Sequence, residues 1–442
     1  MAHSYFIRKT LGIKDPNIRF DQKVNEERIK GTKHLIYYGT LTYTPKGCPN
    51  CGSVNHSHQD IVKNGTKLST LKIGQINFQP VLLKLKKQRF LCKHCRSTFT
   101  AETSLVDRHC FISNFVKSTI AMELRHEQSM KLIGEHLNVS SNTVIRVLRK
   151  VGETLAPERH YLPSHLCIDE FKSVKNVSGA MIFIFMNAVN HEVIDIVENR
   201  QQHYLSDYFM RYSLNARLRV KTVTMDMYSP YIGLIKACFP KADIIIDRFH
   251  IVQHLNRALN HVRIQTMNSL RYTRPRDYRK LKKQWKLVLK NEADLNFHDF
   301  FTHRLYTGMV SEYVMANYLV ELSPELRDTY QLVNQLKGAL RTRRFSLFAS
   351  LLQASKKRTY PRKMRTVLQT LEKYINPIQN AFKYTLSNGP IEGVNNKVKN
   401  IKRSGYGYRN FYHLRSRVLI SFTLTREAIT EKPLYFKEDA AH

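Results

Sequence analysis

The chain has 442 residues, of which 71 are Lys or Arg and 35 are Asp or Glu, giving a formal net charge of +36. A hydrophobic fraction of 42% suits a folded protein, and the length suits about two to four domains. The excess of cations predicts a polyanionic partner, and a membrane-spanning role is excluded by the absence of any uninterrupted apolar stretch of sufficient length. Gly179 to Val189 is too short and contains Asn187. Met1 to Lys9 lacks the apolar core of a secretory signal, so a reducing cytoplasmic compartment is expected. Seven cysteines in that setting do not form a disulfide framework.

Residues 1–46 are read as an N-terminal segment. Next come two Cys-x-x-Cys knuckles, Cys48-Pro-Asn-Cys51-Gly and Cys92-Lys-His-Cys95, around strand-rich stretches at Thr70 to Ile76 and Val81 to Phe90. Paired knuckles of this kind build a closed four-thiolate cage for a structural Zn2+, so residues 47–105 are expected to form a zinc ribbon. His56, His58 and His94 are alternative ligands that fit surface positions better. Cys110, Cys167 and Cys238 stand alone and read as small buried hydrophobes.

Over residues 108–158, Ser129 to Leu137 and Ser141 to Lys150 show apolar residues at helical spacing, broken at Asn138-Val139-Ser140. Ser140 or Ser141 can cap the second helix. Met130, Ile133 and Leu137 would pack on Val144 and Val147 or Leu148, leaving Ser141, Asn142, Thr143 and Arg146 outward, with Arg149 and Lys150 farther along. A helix-turn-helix that reads the DNA major groove has this form. An ordinary helical hairpin fits the same spacing; the basic chain and the preceding ribbon favour DNA.

From about Tyr161 the pattern turns to strand alternation. His165 to Lys172, Gly179 to Asn190 and Glu192 to Asn199 read as strands, followed by helix Gln202 to Ser213, strand Val220 to Met225, helix Tyr231 to Cys238 and strand Asp243 to Ile246. Residues 160–254 are thus expected to form a mixed sheet with helices on its faces, where functional groups gather beyond the carboxyl ends of parallel strands. Asp226 and Asp247 occupy such ends, and Asp169 closes the run His165-Leu166-Cys167-Ile168. Alternation points Glu170 to the other face. Carboxylates delivered from separate elements to one point suit hard divalent ions, Mg2+ or Mn2+, which serve phosphodiester chemistry.

Residues 255–381 read as a mostly helical, basic insertion. Arg271 to Lys290 holds nine Lys or Arg and one acid, Asp277, around the sole tryptophan, Trp285. Lys356-Lys357-Arg358 and Arg362-Lys363-Met364-Arg365 form a second cluster suited to DNA phosphates. Trp285 fits either stacking on an unpaired base or packing among helices. Residues 382–425 carry Glu392 in Asn388-Gly389-Pro390-Ile391-Glu392-Gly393, with Asn388 or Gly389 capping a helix from Pro390 to about Arg403. Helical spacing puts Asn395, Asn396, Lys399 and Arg403 on or near the Glu392 face. A final helix through Ile420 is expected to close the catalytic domain, and residues 426–442 form a tail.

Ile168-Asp169-Glu170-Phe171, Met225-Asp226-Met227-Tyr228-Ser229-Pro230-Tyr231, Asp247-Arg248-Phe249-His250 and Asn388 to Lys399 together resemble the DDE-type transposases of bacterial insertion sequences, specifically the ISL-three family, over Cys48 to Ile420. The resemblance implies a multidomain α+β chain: zinc ribbon, helix-turn-helix, then a ribonuclease-H-like mixed α/β catalytic domain interrupted by the helical insertion. It implies a metal-binding triad of Asp169, Asp226 and Glu392, with Asp247 and His250 as an accessory Asp-x-x-His pair. Lys399 is similar to the basic residue that many such enzymes place after their glutamate to hold element-end DNA. The long interval before Glu392 departs from the simplest family layout and implies an insertion. The expected activity is binding of the element's terminal inverted repeats, metal-dependent cleavage, and joining of the freed ends to target DNA near the nucleoid. Holding two ends together calls for a homodimer or higher oligomer. A DNA-binding regulator without catalysis and a structure-specific nuclease of the same fold are the alternatives.

Overall fold

The computed structural model describes residues 2–57, 59–174, 177 and 179–424, leaving aside the side chains of residues 2 and 3; His58 and the tail 426–442 lie outside the described residues. The described residues form two compact units, one within 1–156, 174–177 and 396–424, the other within 157–173 and 179–395.

In the first unit, helix α1 (Ala2–Thr10) precedes strands β1 (Ile18–Ile29), β2 (Thr32–Leu41), β3 (Ile61–Ile76), β4 (Gln79–Cys92) and β5 (Thr98–Thr100). The sheet runs β1-β2-β4-β3, with β5 paired to β4. Lys30-Gly31 and Asn77-Phe78 close its hairpins with φ of 51°, 83°, 49° and 63°. Two successive left-handed residues give the turn whose twist matches the strands it joins. Because β2 pairs in parallel with β4, residues 18–41 share one sheet with the ribbon strands. The alternation of β1 is hard to read because the strand is exposed or half-exposed beyond Phe20. Ile18, Phe20, Leu71, Leu83 and Phe90 form the core, which includes Cys48 and Cys92.

Three helices follow: α2 (Asn114–Glu123), α3 (Met130–His136) and α4 (Ser141–Thr154). Each starts at a serine: the hydroxyls of Ser113, Ser129 and Ser140 accept from the amides of Val116, Leu132 and Thr143. Such a cap contributes about 1 kcal/mol. Ile133, Val144, Val147 and Leu148 are fully or nearly fully buried together with Val116 and Ile120, as helical spacing predicts.

The second unit is built on β6 (His165–Lys172), β7 (Met181–Asn187), β8 (Val193–Val197), β9 (Thr222–Met225) and β10 (Asp243–Ile246), in the order β10-β9-β6-β7-β8. β6 to β8 form an antiparallel meander, while β9 runs parallel to β6 and β10 to β9. Helices α5 (Gln202–Met210), α6 (Leu214–Arg219) and α7 (Ser229–Cys238) make the connections. Ile182 to Met186 are all buried, consistent with a strand covered on both faces. Phe183, Phe185 and Phe239 meet Phe209 edge-on at ring-centroid distances of 5.9, 5.3 and 5.1 Å.

Between β10 and Glu392 the chain is mostly helical: α8 (Arg248–Ser269), α9 (Pro275–Lys283), α10 (Trp285–Leu289), α11 (Glu312–Val320), α12 (Pro324–Arg341), α13 (Phe345–Ser355), α14 (Arg362–Lys373) and α15 (Ile375–Lys383). A short strand pair, Phe301–Thr302 with Met309–Val310, precedes α11. These helices share a core around Leu255, Leu259, Leu336, Phe348 and Met364. Not every cation of the basic stretch faces outward. Lys280 is buried, 3.4 Å from Asp277, and lies 3.7 Å over the Tyr318 ring. Trp285 opens α10 at 41% exposure. The chain then returns to the sheet, where Asn380 Nδ2 donates to Ile244 O at 2.9 Å and the Tyr384 hydroxyl to Asp243 at 2.8 Å. That return delivers α16 (Gly389–Ser404).

The last helix, α17 (Phe411–Thr423), differs from its expected place: its Ile420 joins the core of α2 to α4. Its Arg417 is fully buried and donates to His126 O and Gln128 O. α17 crosses α4 at Gly152, where a Cβ would collide with the Ser416 side chain and stand 3.2 Å from its Cα. Gly152→Ala is therefore expected to cost roughly 1–3 kcal/mol, read as a lowered melting temperature that Ser416→Gly partly restores. An unchanged melting temperature would contradict this crossing.

Candidate active site

Parallel pairing of β6 with β9 stops at Cys167 opposite Thr224, and that of β10 with β9 at Ile246 opposite Met225. Asp169, Asp226 and Asp247 follow these paired segments on three adjacent strands. Asp169 lies inside β6 and not at its end, because antiparallel pairing with β7 continues to Lys172.

Hydrogen bonds bring Glu392 and its helix to these acids. His250 Nε2 lies 2.6 Å from Asp226 Oδ1 and 4.0 Å from Glu392 Oε1. Asn388 is buried among them: its Nδ2 donates to Asp226 Oδ1 at 3.1 Å and to Ile168 O at 3.4 Å, and its backbone N–H donates to Asp247 Oδ2 at 3.2 Å. The Cys167 thiol donates to Asn388 Oδ1 at 2.8 Å. The Asn388 side chain thus bridges Asp226, the Ile168 carbonyl and the Cys167 thiol. Asn395 Nδ2 donates to Asp169 Oδ2 at 2.6 Å, turned inward where a DNA contact is expected from sequence. Asp247 is buried and caps α8 through Phe249 N at 3.3 Å. Glu170 faces away and accepts from Arg200 at 2.6 Å and Tyr231 at 3.0 Å.

The electrostatics follow from this crowding. Burial, with the charges of Asp226 and Glu170, pushes the Asp169 carboxyl up to about 6, against the Glu170 amide and the charge of His250. Burial disfavours the His250 cation, but the Asp226 hydrogen bond and charge, with Asp247 and Asp169, outweigh it and raise its pKa. Burial first, then the three aspartates, pushes the Cys167 thiol up, so it stays a proton donor.

The residues suit a hydrated hard cation. All three candidate ligands are carboxylates, burial disfavours the Asp169 charge so that a bound cation would offset it, and Asn395 Oδ1 is buried beside it without a hydrogen-bond partner among the described residues. Asp169, Asp226 and Glu392 do not all come within 4.8 Å of one another, as the ligand atoms of the cysteine cluster do. A cation that keeps several waters does not require that.

That cluster is Cys48, Cys51, Cys92 and Cys95. Cys48 and Cys95 sulfurs are 3.6 Å apart, those of Cys51 and Cys92 3.8 Å. Zn–S bonds of about 2.3 Å in a tetrahedron give S···S distances of about 3.8 Å. The Ser97 hydroxyl and amide lower the Cys95 thiol to about 5. Gly52 and Arg96 follow their knuckles at matching positions with φ of 73° and 55°.

On α4, Asn142, Arg146, Arg149 and Lys150 are exposed and Ser141 is half-buried. Thr143 is buried, in contrast to its expected outward position, because it joins Ser140 in the cap at 3.1 Å. Arg149 donates to His413 at 2.9 Å. On α16, Asn396, Lys399 and Arg403 are exposed, and Lys399 donates to Asn396 Oδ1 at 3.3 Å. Cys167 and Cys238 are buried, while Cys110 is partly exposed.

The family model of the ISL3 group of DDE transposases, described as "Transposase", matches residues 166–418. The chain is 24% identical over 373 residues to the transposase for insertion sequence element IS1001 of Bordetella parapertussis, covering 82% of this chain and 85% of that protein. A second match, 35% identical over 111 residues, is to a Lactococcus lactis subsp. lactis protein named ATP-dependent protease, covering 25% of this chain and 35% of that protein.

Proposed function

Because this chain belongs to the ISL3 family of DDE transposases, we propose that it binds the terminal inverted repeats of its element, cleaves at the element ends and joins the freed 3′-hydroxyls to target DNA. The observation that carries the reading is the convergence of Asp169, Asp226 and Glu392 around His250, Asn388 and Asn395. The sheet β10-β9-β6-β7-β8 is read as ribonuclease-H-like, with the helical residues 255–381 as its insertion.

Asp169, Asp226 and Glu392 would hold Mg2+ or Mn2+, which when bound activates a water or 3′-hydroxyl nucleophile and offsets charge on the leaving oxygen. Asn395 fixes Asp169, and Asn388 fixes Asp226 against the main chain of β6. His250, favoured as a cation by Asp226, can donate to a phosphate oxygen once DNA arrives. Asp247 works through others, holding the start of α8 and the Asn388 amide. Asn396, Lys399 and Arg403 are assigned to element-end DNA, and Ser141, Asn142, Arg146 and Lys150 to the inverted repeat. Exposed cations of the insertion add sequence-independent affinity for phosphates. Zn2+ in the cysteine cage is structural. Two ends require two active sites, hence at least a dimer.

A labelled duplex bearing the element end, incubated with Mg2+ and a target plasmid, tests this. Both nicked end and joined product are expected. Cutting without joining would favour a nuclease, and binding without cutting a regulator.

A further inference from the structure

We propose that the cavity beside the start of α8 binds one unpaired nucleotide of the DNA strand being processed, with the base stacked on aromatic rings. The inference rests on the DNA-cleaving reading above. The cavity measures 730 Å³ and is lined from α8, the 291–297 segment, α11 and α12. That is ample for a nucleotide, since ligand pockets run from about 300 to 1,000 Å³.

Three kinds of group meet there. Phe249 is 56% exposed and Phe297 42%, and Phe297 stacks on Tyr313 with ring centroids 4.4 Å apart and planes 31° apart. Rings this exposed at one cavity offer π-faces to a planar, apolar-faced ligand. Gln331 and Gln335 stand one turn apart on the exposed face of α12, and their amides have no hydrogen-bond partner among the described residues. An amide both donates and accepts, which matches the edge of a base. Arg248 brings a guanidinium free of ion pairs among the described residues, suited to the adjoining phosphate. Glu292 is the only acid in the lining.

Position ties this cavity to the chemistry. Arg248 and Phe249 lie between Asp247 and His250 in the first turn of α8, and the Phe249 and His250 rings are 5.6 Å apart. A nucleotide held on Phe249 is therefore a neighbour of one held at His250. Within a duplex both faces of a base are covered by its neighbours, so stacking on protein rings requires an unpaired nucleotide.

The test compares binding of a duplex with binding of the same duplex carrying one unpaired 2-aminopurine. The full chain is expected to bind the unpaired form about ten-fold more tightly, with a change in 2-aminopurine fluorescence on stacking. Phe249→Ala should bring that affinity ratio close to one, and Gln331→Ala with Gln335→Ala, both on an exposed face, should reduce it independently. Equal affinity of the unaltered protein for both probes, or a ratio untouched by either variant, overturns the proposal while leaving the DNA-cleaving reading intact. Failure to bind either probe would overturn both.

Discussion

Asp169→Asn is expected to abolish end cleavage and strand joining together, by about a thousandfold or more, while raising the melting temperature of the zinc-loaded protein in the absence of Mg2+. The two effects share one cause. In the folded chain the carboxyl is pushed from its ordinary 3.8 to about 6, chiefly by burial and by the Asp226 charge. Below pH 3.8 it is protonated folded or unfolded and contributes no penalty. As pH rises from 3.8 to about 6 the unfolded chain gives up this proton first, so stability falls, and the cost is complete above 6. A shift of that size corresponds to at most about 3 kcal/mol. Asn removes the charge and can still accept from the Glu170 amide through its carbonyl, while its Nδ2 can donate to Asn395 once that amide turns its unpartnered Oδ1 to face it. The zinc-loaded variant should therefore melt higher than the zinc-loaded unaltered protein at neutral pH without Mg2+ or Mn2+, and the gap should close in mild acid. Added Mg2+ should raise the melting temperature of the unaltered protein and leave the variant unmoved. A variant that still cleaves, or melts lower at neutral pH, would show that Asp169 is an ordinary strand residue.

Replacing one ligand of the cysteine cage should have the larger structural effect. Structural zinc contributes roughly 10–16 kcal/mol in small zinc-binding folds, comparable with or above the total stability of about 5–15 kcal/mol typical of a domain. Cys48 and Cys92 belong to the core that also holds Ile18, Leu71 and Phe90, so losing the metal opens that core as well. Cys92→Ser is expected to lose bound zinc and to expose β3 and β4 to proteolysis, and a strong chelator should reproduce this in the unaltered chain. Cys110→Ser, outside the cage and only partly buried, should keep both zinc and protease resistance. Full zinc content and an unchanged digestion pattern in Cys92→Ser would refute the cage.

What was legible in the sequence was largely what is local. The cysteine knuckles, the serine cap at the start of α4 and the strands from His165 onward depend on residues a few positions apart, and each appears close to where its pattern puts it. Roles that depend on distant pairing were not legible. Asn388 reads as a helix cap by its place before Gly389 and Pro390, yet its side chain meets Ile168 and Asp226 from across the sheet. Asn395 shares the Glu392 face by helical spacing, but only the fold shows that this face turns it onto Asp169. Thr143 was misread because helical spacing ignores the cap, which draws its hydroxyl to Ser140. Nor does the final helix announce a partner: its apolar residues fit any core, and the close approach at Gly152 is what seats it on α4.

The central claim is that Asp169, Asp226 and Glu392 hold one metal centre. Iron-directed backbone cleavage tests this most directly: Fe2+ replaces Mg2+ in the zinc-loaded protein, ascorbate and peroxide are added, and the cut positions are mapped. Cuts are predicted to cluster at residues near 169, 226 and 392, to be competed away by Mg2+, and to vanish together in Asp226→Asn. Cuts confined elsewhere, or a pattern at these positions that survives Asp226→Asn, would contradict it.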